Sequence, residues 1–79
     1  MDKQQRRAKL GETLAAMRAE AGLNQAEVAS RLGKPQSFVS KYESAERRVE
    51  LSDLEEITGA LGARLEDVIA RYREAVNAG

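Results

Sequence analysis

The segment from Gln25 to Ser44 constrains the fold of this chain more than any other part of the sequence. Its apolar residues recur at helical spacing on both sides of a short break that contains Gly33 and Pro35. Two short helices joined by so tight a turn must cross closely, which requires a small residue at the contact, and Ala29 supplies it. Gly33 accepts the positive φ that the turn needs. We therefore predict one rigid corner of two helices. Apolar residues fill the angle between them, namely Val28, Leu32, Val39 and Tyr42.

The apolar spacing elsewhere predicts three further helices. We expect five helices at about residues 3–21, 24–32, 36–44, 51–61 and 64–77. Asn24 and Glu27 have the spacing of a capping box, and a glycine directly follows three of the helices. Either Glu50 or Ser52 caps the fourth helix. No strand-like alternation and no internal repeat is present, so the predicted fold class is all-α.

Composition narrows the possible functions. Hydrophobic residues make up 42% of the 79 residues and charged residues 33%, which predicts one small domain with one core. The absence of Cys and His removes disulfides, thiolate chemistry, the commonest general base and the usual zinc ligands. We therefore expect neither an enzyme nor a cofactor or metal site. No signal peptide and no apolar run of roughly 20 residues is present, so we expect a cytoplasmic protein and no membrane partner.

The two parts of the chain carry opposite net charge. Residues 1–48 contain ten Lys and Arg against six Asp and Glu, a net charge of +4, and residues 49–79 contain three against seven, a net charge of −4. The split indicates either a basic face for an anionic partner, with an acidic half turned away, or chance variation among solvated charges.

The outer face of the third helix is polar. A rotation of 100° per residue places Val39 and Tyr42 on one side, with Phe38 and Glu43 at its flanks. The other side collects hydrogen-bonding residues: Gln36, Ser37, Ser40, Lys41 and Ser44. Because most of them are uncharged, this face suits the edges of nucleic-acid bases, and the alternative is an ordinary polar surface.

The segment resembles the helix-turn-helix of the Cro and lambda-repressor (xenobiotic-response-element) family. The resemblance extends from about Leu10 to Ile69, and the matching runs are GLNQAEVASRLG, QSFVSKYE and ERRVELSDLEEITGALGARLEDVI. It implies a compact five-helix, lambda-repressor-like DNA-binding domain over residues 1–79. The motif then occupies residues 25–44, and its second helix, about residues 36–44, lies in the DNA major groove.

The resemblance also implies which residues meet DNA. Gln36, Ser37 and Lys41 are the expected principal base readers, with Ser40 beside them. The expected phosphate contacts are Gln25, Ser44, Arg47 and Arg48. For the two loop arginines the alternative is a solvated loop. In the basic N-terminal segment, residues 1–9, the side chains of Arg6, Arg7 and Lys9 either contact phosphate or fray in solvent.

A further pair carried over from the family is structural. An arginine of the first helix, Arg18, holds Glu43 at the end of the recognition helix and thereby fixes its orientation. Some positions depart from the family pattern: Lys34, Pro35, Phe38, Ala45 and Val49. They put the loop geometry and the DNA target in doubt, though not the fold. Phe38 packs beside Tyr42 or touches a thymine methyl, and packing is favoured.

The function predicted from these features is sequence-specific binding of double-stranded DNA by a transcriptional regulator, a repressor or a small autoregulated switch. A homodimer on a palindromic operator is expected, because one recognition helix reads only a few base pairs. The apolar stripe of Ile69, Tyr72 and Val76 is the candidate interface, unless it folds back onto the monomer. The alternative functions are a protein-interaction adaptor with the same helical fold and an antitoxin with a toxin partner.

Overall fold

The computed structural model describes residues 1–78, which form five helices and no strand. The helices are α1 (Lys3–Glu20), α2 (Gln25–Leu32), α3 (Gln36–Glu43), α4 (Leu51–Leu61) and α5 (Leu65–Ala78). The predicted all-α, five-helix fold is confirmed, and each predicted boundary lies within one residue of the observed one. The predicted domain range also includes Gly79, which lies outside the described residues. Within residues 1–78, no helix combines the length and apolar character that a bilayer span requires.

Local hydrogen bonds explain where the helices begin and end. The Asn24 side chain accepts a hydrogen bond from the Glu27 N–H at 2.8 Å, and the Glu27 carboxylate accepts one from the Asn24 N–H at 2.9 Å. Glu50 is the N-cap of α4, since the helix begins at Leu51 and the Asp53 carboxylate accepts from the Glu50 N–H at 3.1 Å. These boundaries depend on neighbours in sequence, which is why the sequence predicts them.

Every helix contributes to one apolar core. The largest fully buried side chains come from all five helices: Leu14, Val28, Val39, Tyr42, Ile57 and Val68. Burial of each such side chain stabilises the fold by roughly 1.5–3 kcal/mol. Because two of these residues belong to α3, its inner face anchors that short helix in the core.

The corner between α2 and α3 has the predicted construction. Ala29 is 2% exposed at the contact, and Gly33 takes the left-handed conformation with φ 67°. Val28 and Val39 are completely buried between the helices. A tight corner of this kind holds α3 in a fixed direction relative to α2.

Leu51 is the exposed member of the apolar face of α4. Its spacing places it on the same face as Leu54, Ile57 and Leu61, and those three residues are buried. Leu51 is 66% exposed, because it is the first residue of the helix and no neighbouring helix covers that end. An exposed leucine of this size marks a surface that the monomer leaves open.

Candidate nucleic-acid interface

The outward side of α3 is polar and open. Gln36, Ser37, Ser40 and Lys41 are all exposed, and we call these four residues the readout face. The opposite side of the helix is buried through Val39 and Tyr42. Among residues 1–78 the readout face has one side-chain hydrogen bond, which Gln36 makes. The remaining side-chain donors and acceptors of this face are free for an external ligand.

A buried carboxylate fixes the far end of α3. The Glu43 side chain is 8% exposed, and its Oε2 lies 2.7 Å from Nε of Arg18. Nη2 of Arg18 donates to the other carboxylate oxygen at 3.1 Å, which makes the pair bidentate. Nη1 of the same arginine donates to the Leu23 carbonyl at 2.9 Å. The hydrogen bond with Glu43 raises the pKa of Arg18 above its ordinary value. The structure therefore brings the predicted pair together and joins α1 to the end of α3.

Gln25 belongs to the same network. Its Nε2 donates to Oε1 of Glu43 at 2.9 Å, and its Oε1 accepts from Nε2 of Gln36 at 3.4 Å. The residue predicted to touch phosphate thus also connects the ion pair to the first residue of the readout face. The second bond is long and therefore weak, so Gln36 is readily released to another partner.

Gly11 allows α1 to approach the end of α3. A Cβ atom at this position would lie 2.5 Å from the Glu43 carbonyl oxygen and 2.8 Å from the Tyr42 carbonyl oxygen. Both distances are far below ordinary van der Waals contact, so only glycine fits here. The last carbonyls of α3 are thereby packed against the middle of α1.

The loop after α3 brings a cation against a side chain of that helix. The guanidinium carbon of Arg47 lies 4.6 Å from the centre of the Phe38 ring, and Nζ of Lys34 lies 5.6 Å from it. Phe38 also packs edge to face on Tyr42, at 5.7 Å and 81°. The structure therefore contains the favoured packing of Phe38 beside Tyr42. Lys34 before α3 and Arg47 after it both lie within cation–π distance of the Phe38 ring.

The remaining predicted phosphate residues lie in the same loop. Oγ of Ser44 donates to the Glu46 carboxylate at 2.7 Å. Ala45 has φ 68°, a conformation that favours glycine, and the N–H groups of the next two residues both bond to the Lys41 carbonyl. Arg48 is exposed and lines a groove together with residues of the first turns of α1.

Two grooves flank the start of α1. The basic groove, of about 410 Å³, is lined by Lys3, Arg6, Arg7, Leu10, Arg48, Val49 and Tyr72. The apolar groove, of about 400 Å³, is lined by Leu10, Leu51, Leu54, Val68, Ile69, Tyr72 and Arg73. Two of the three predicted interface residues, Ile69 and Tyr72, therefore line one surface together. Val76 is half-buried and lies outside that lining. Within residues 1–78, no three potential metal ligands come together.

The family model described as a helix-turn-helix domain matches residues 9–75. The chain belongs to this helix-turn-helix family. The resemblance to Cro and lambda-repressor proteins is confirmed, and membership assigns the chain to DNA-binding proteins of the transcription-regulator kind. No curated protein matches the chain.

Solved structures agree with this assignment. An XRE-family like protein from Pseudomonas syringae pv. tomato is 36% identical, with 89% of this chain and 85% of that chain covered and a TM-score of 0.80. The clp gene regulator ClgR from Corynebacterium glutamicum is 27% identical, with 89% and 91% covered and a TM-score of 0.84. The restriction-modification controller protein C.AhdI from Aeromonas hydrophila is 28% identical, with 77% and 92% covered and a TM-score of 0.72.

Sequence reasoning missed several contacts of this helix-turn-helix protein. Gly11 lies within a run of good helix formers, and a mid-helix glycine costs about 1 kcal/mol relative to alanine, which is a usable signal of close approach. The bond between Gln25 and Glu43 and the contact of Arg47 with Phe38 left no such signal. They depend on how separate elements meet in space.

Proposed function

We propose that this protein is a sequence-specific regulator of transcription that reads double-stranded DNA through the readout face of α3. The observation that carries the proposal is the readout face itself, four exposed polar side chains on a helix whose other side is buried. The corner with α2, the Arg18–Glu43 pair and the contact at Gly11 all restrain α3. A rigid helix with free hydrogen-bonding groups is what readout in the major groove requires.

Each predicted base reader has a matching chemistry. The Gln36 amide can pair with N6 and N7 of adenine, and the Lys41 ammonium with O6 and N7 of guanine. Ser37 and Ser40 can donate to or accept from several base edges. Gln36 gives up only a long hydrogen bond to Gln25 when it turns to DNA.

Phosphate contacts fix the register of the protein on the duplex. Arg47 is exposed beside α3, and its stacking on Phe38 restricts the positions that its guanidinium takes. Arg48, Ser44 and the first turn of α2 at Gln25 contribute the remaining contacts. These contacts supply affinity for any sequence, while the readout face supplies preference.

The protein acts as a homodimer on a palindromic operator, and it represses by occupying that operator. The apolar groove supports this step, because Leu51 is 66% exposed and Ile69 is 37% exposed. A second recognition helix doubles the number of base pairs read. A surface that binds DNA and a surface that joins two chains are together sufficient for repression by occupancy of the operator.

Selection of binding sites from random duplex DNA, followed by affinity measurements on variants, tests the proposal. Gln36→Ala and Lys41→Ala are each expected to lower specific affinity by roughly 1–3 kcal/mol and to relax preference at one base pair. Gln4→Ala, an exposed glutamine of α1, is the matched control and is expected to bind as the wild type does. Full sequence preference in both readout variants would show that the readout face does not read the bases. A wild type that selects no binding site would contradict DNA binding altogether and favour the protein-interaction adaptor.

A further inference from the structure

Four cations from two separate parts of the chain meet in the basic groove. Lys3, Arg6 and Arg7 belong to the first turns of α1, and Arg48 belongs to the loop between α3 and α4. The floor between them is apolar, formed by Leu10, Val49 and Tyr72. The fold, and not a run of neighbouring residues, therefore places Arg48 beside the three cations of α1.

Within residues 1–78, these four cations have no counter-ion at ion-pair distance. In the part of the chain that the structure describes, none of the four has a carboxylate oxygen within 4.0 Å, whereas Arg18, Arg64 and Arg71 each have one. The acidic residue next to Lys3 is Asp2, and its carboxylate accepts the Gln5 N–H at 2.8 Å as a helix cap. Gathering like charges without counter-ions raises the free energy of the folded chain, and a bound anion removes that repulsion.

The loop after α3 connects the basic groove to the side of α3. Arg47 lies against Phe38 of α3, and the next residue, Arg48, lines the basic groove. Lys41 of the readout face lines a further groove of mixed charge, together with both arginines and with the carboxylates of Glu46, Glu50 and Asp53. Arg47 and Arg48 therefore place two cations between the side of α3 and the first turns of α1.

We propose that Lys3, Arg6 and Arg7 extend the phosphate contact of Arg48 along the basic groove to further phosphate groups of the DNA backbone, an inference that rests on the proposed function. Lys3 and Arg7 lie about one turn apart on α1, which is roughly 6 Å along the helix axis. One DNA strand carries a phosphate per roughly 3.4 Å of its axis. Cations spread over this length fit a polyanion better than a single small anion. The footprint on DNA thus extends past the helix-turn-helix to α1.

The salt dependence of DNA binding tests this site. Lys3→Gln and Arg7→Gln are compared with Lys9→Gln, which removes the same charge from the same helix outside the groove. The slope of log affinity against log salt concentration is expected to fall by about 0.9 for each groove variant. The slope is expected to fall equally with the selected operator and with a scrambled duplex, and sequence preference is expected to stay unchanged. Lys9→Gln leaves the slope as in the wild type, and urea unfolding verifies that all variants fold.

The outcomes separate this inference from the proposed function. Groove variants that behave like Lys9→Gln, while Gln36→Ala still relaxes sequence preference, overturn the basic groove and leave the proposed function standing. A wild type that binds no duplex overturns both. An NMR titration with inorganic phosphate distinguishes a free anion from the DNA backbone. Saturable binding that Arg7→Gln abolishes, with an unchanged salt slope, would assign the groove to free phosphate and overturn the DNA contact.

Discussion

At the scale of single residues, Gly11 fixes the distance between α1 and α3. In Gly11→Ala the new methyl group meets two backbone carbonyls at 2.5 and 2.8 Å, and backbone cannot rotate away as a side chain can. We expect a loss of roughly 1–3 kcal/mol in the free energy of unfolding, even though alanine is the better helix former. Urea unfolding measures the change.

Gly59 in α4 provides the matched control for this prediction. It is exposed, and a Cβ atom there meets nothing within 4 Å. Gly59→Ala is therefore expected to raise the free energy of unfolding by up to about 1 kcal/mol through helix propensity alone. Equal effects of the two substitutions would mean that α1 and α3 do not pack at Gly11.

Tyr42 makes stability depend on alkaline pH. Burial raises the pKa of Tyr42 above its ordinary value of 10.0. At a pH between the pKa of the unfolded chain and the raised pKa of the folded chain, the unfolded chain loses the phenolic proton while the folded chain keeps it. The folded state then binds more protons than the unfolded one, so stability falls as pH rises above 10.

Titration of this tyrosine lowers the free energy of unfolding by about 1.4 kcal/mol for each pH unit above 10. Urea unfolding between pH 9 and 11.5 is expected to show that loss in the wild type and a smaller one in Tyr42→Phe, which has no titrating group there. Parallel curves for the two proteins would contradict the burial of the phenol.

The departures from the family pattern also act at single positions. Phe38 supplies a ring on which the guanidinium of Arg47 lies. Ala45 takes φ 68°, a left-handed conformation that costs a residue with a Cβ atom roughly 1–2 kcal/mol in strain. The sequence flags both positions as unusual, but the contact that Phe38 makes depends on the folded loop.

At the scale of elements, the Arg18–Glu43 pair ties α1 to the end of α3. Because the Glu43 side chain is 8% exposed and that of Arg18 is 19% exposed, loss of either partner leaves a largely desolvated charge. Glu43→Gln and Arg18→Met are each expected to cost about 2–4 kcal/mol of stability. A double-mutant cycle by urea unfolding should give a coupling of about 1–3 kcal/mol.

The exposed pair of Arg64 and Glu66 is the control for this cycle. Its side chains are 78% and 70% exposed, and solvent screens their attraction. A coupling below about 0.5 kcal/mol is expected there. If the effects of the Arg18 and Glu43 substitutions simply add, the two residues do not support each other in solution.

Helix positions could be predicted closely because their signals are local. Asn24 with Glu27, and the glycines that follow α2 and α4, define ends from neighbours a few residues away. The exposure of Leu51 could not be predicted, because it depends on which helix covers the start of α4. The bond from Gln25 to Glu43 is similar, since it joins residues 18 positions apart on two packed helices, α2 and α3.

At the scale of the whole molecule, the two grooves are adjacent. Leu10 and Tyr72 line both of them, so the cations of α1 border the exposed apolar residues of α4 and α5. The sequence predicts opposite charge for the two parts of the chain, but it does not predict that Arg48 joins the cations of α1. A dimer paired through the apolar groove brings two basic grooves beside its seam.

Ile69 in the apolar groove allows the proposed dimer to be tested. Ile69 is 37% exposed in the monomer, so the carboxylate of Ile69→Asp stays hydrated and the single chain still folds. In a dimer the same carboxylate is buried without a partner, which strongly disfavours association. Light scattering at tens of micromolar is expected to give about twice the 8.7 kDa chain mass for the wild type and the monomer mass for the variant.

Ala70→Asp tests whether added charge alone explains such a change. Ala70 is the next residue of α5, exposed and outside the apolar groove, so this variant is expected to remain dimeric.

On DNA, the wild type should bind a full palindrome far more tightly than one half-site, because the second recognition helix binds without a second association cost. Ile69→Asp should lose that advantage and keep the half-site affinity. A wild type that remains monomeric and binds one half-site as tightly as the palindrome would show that the apolar groove is not a pairing surface.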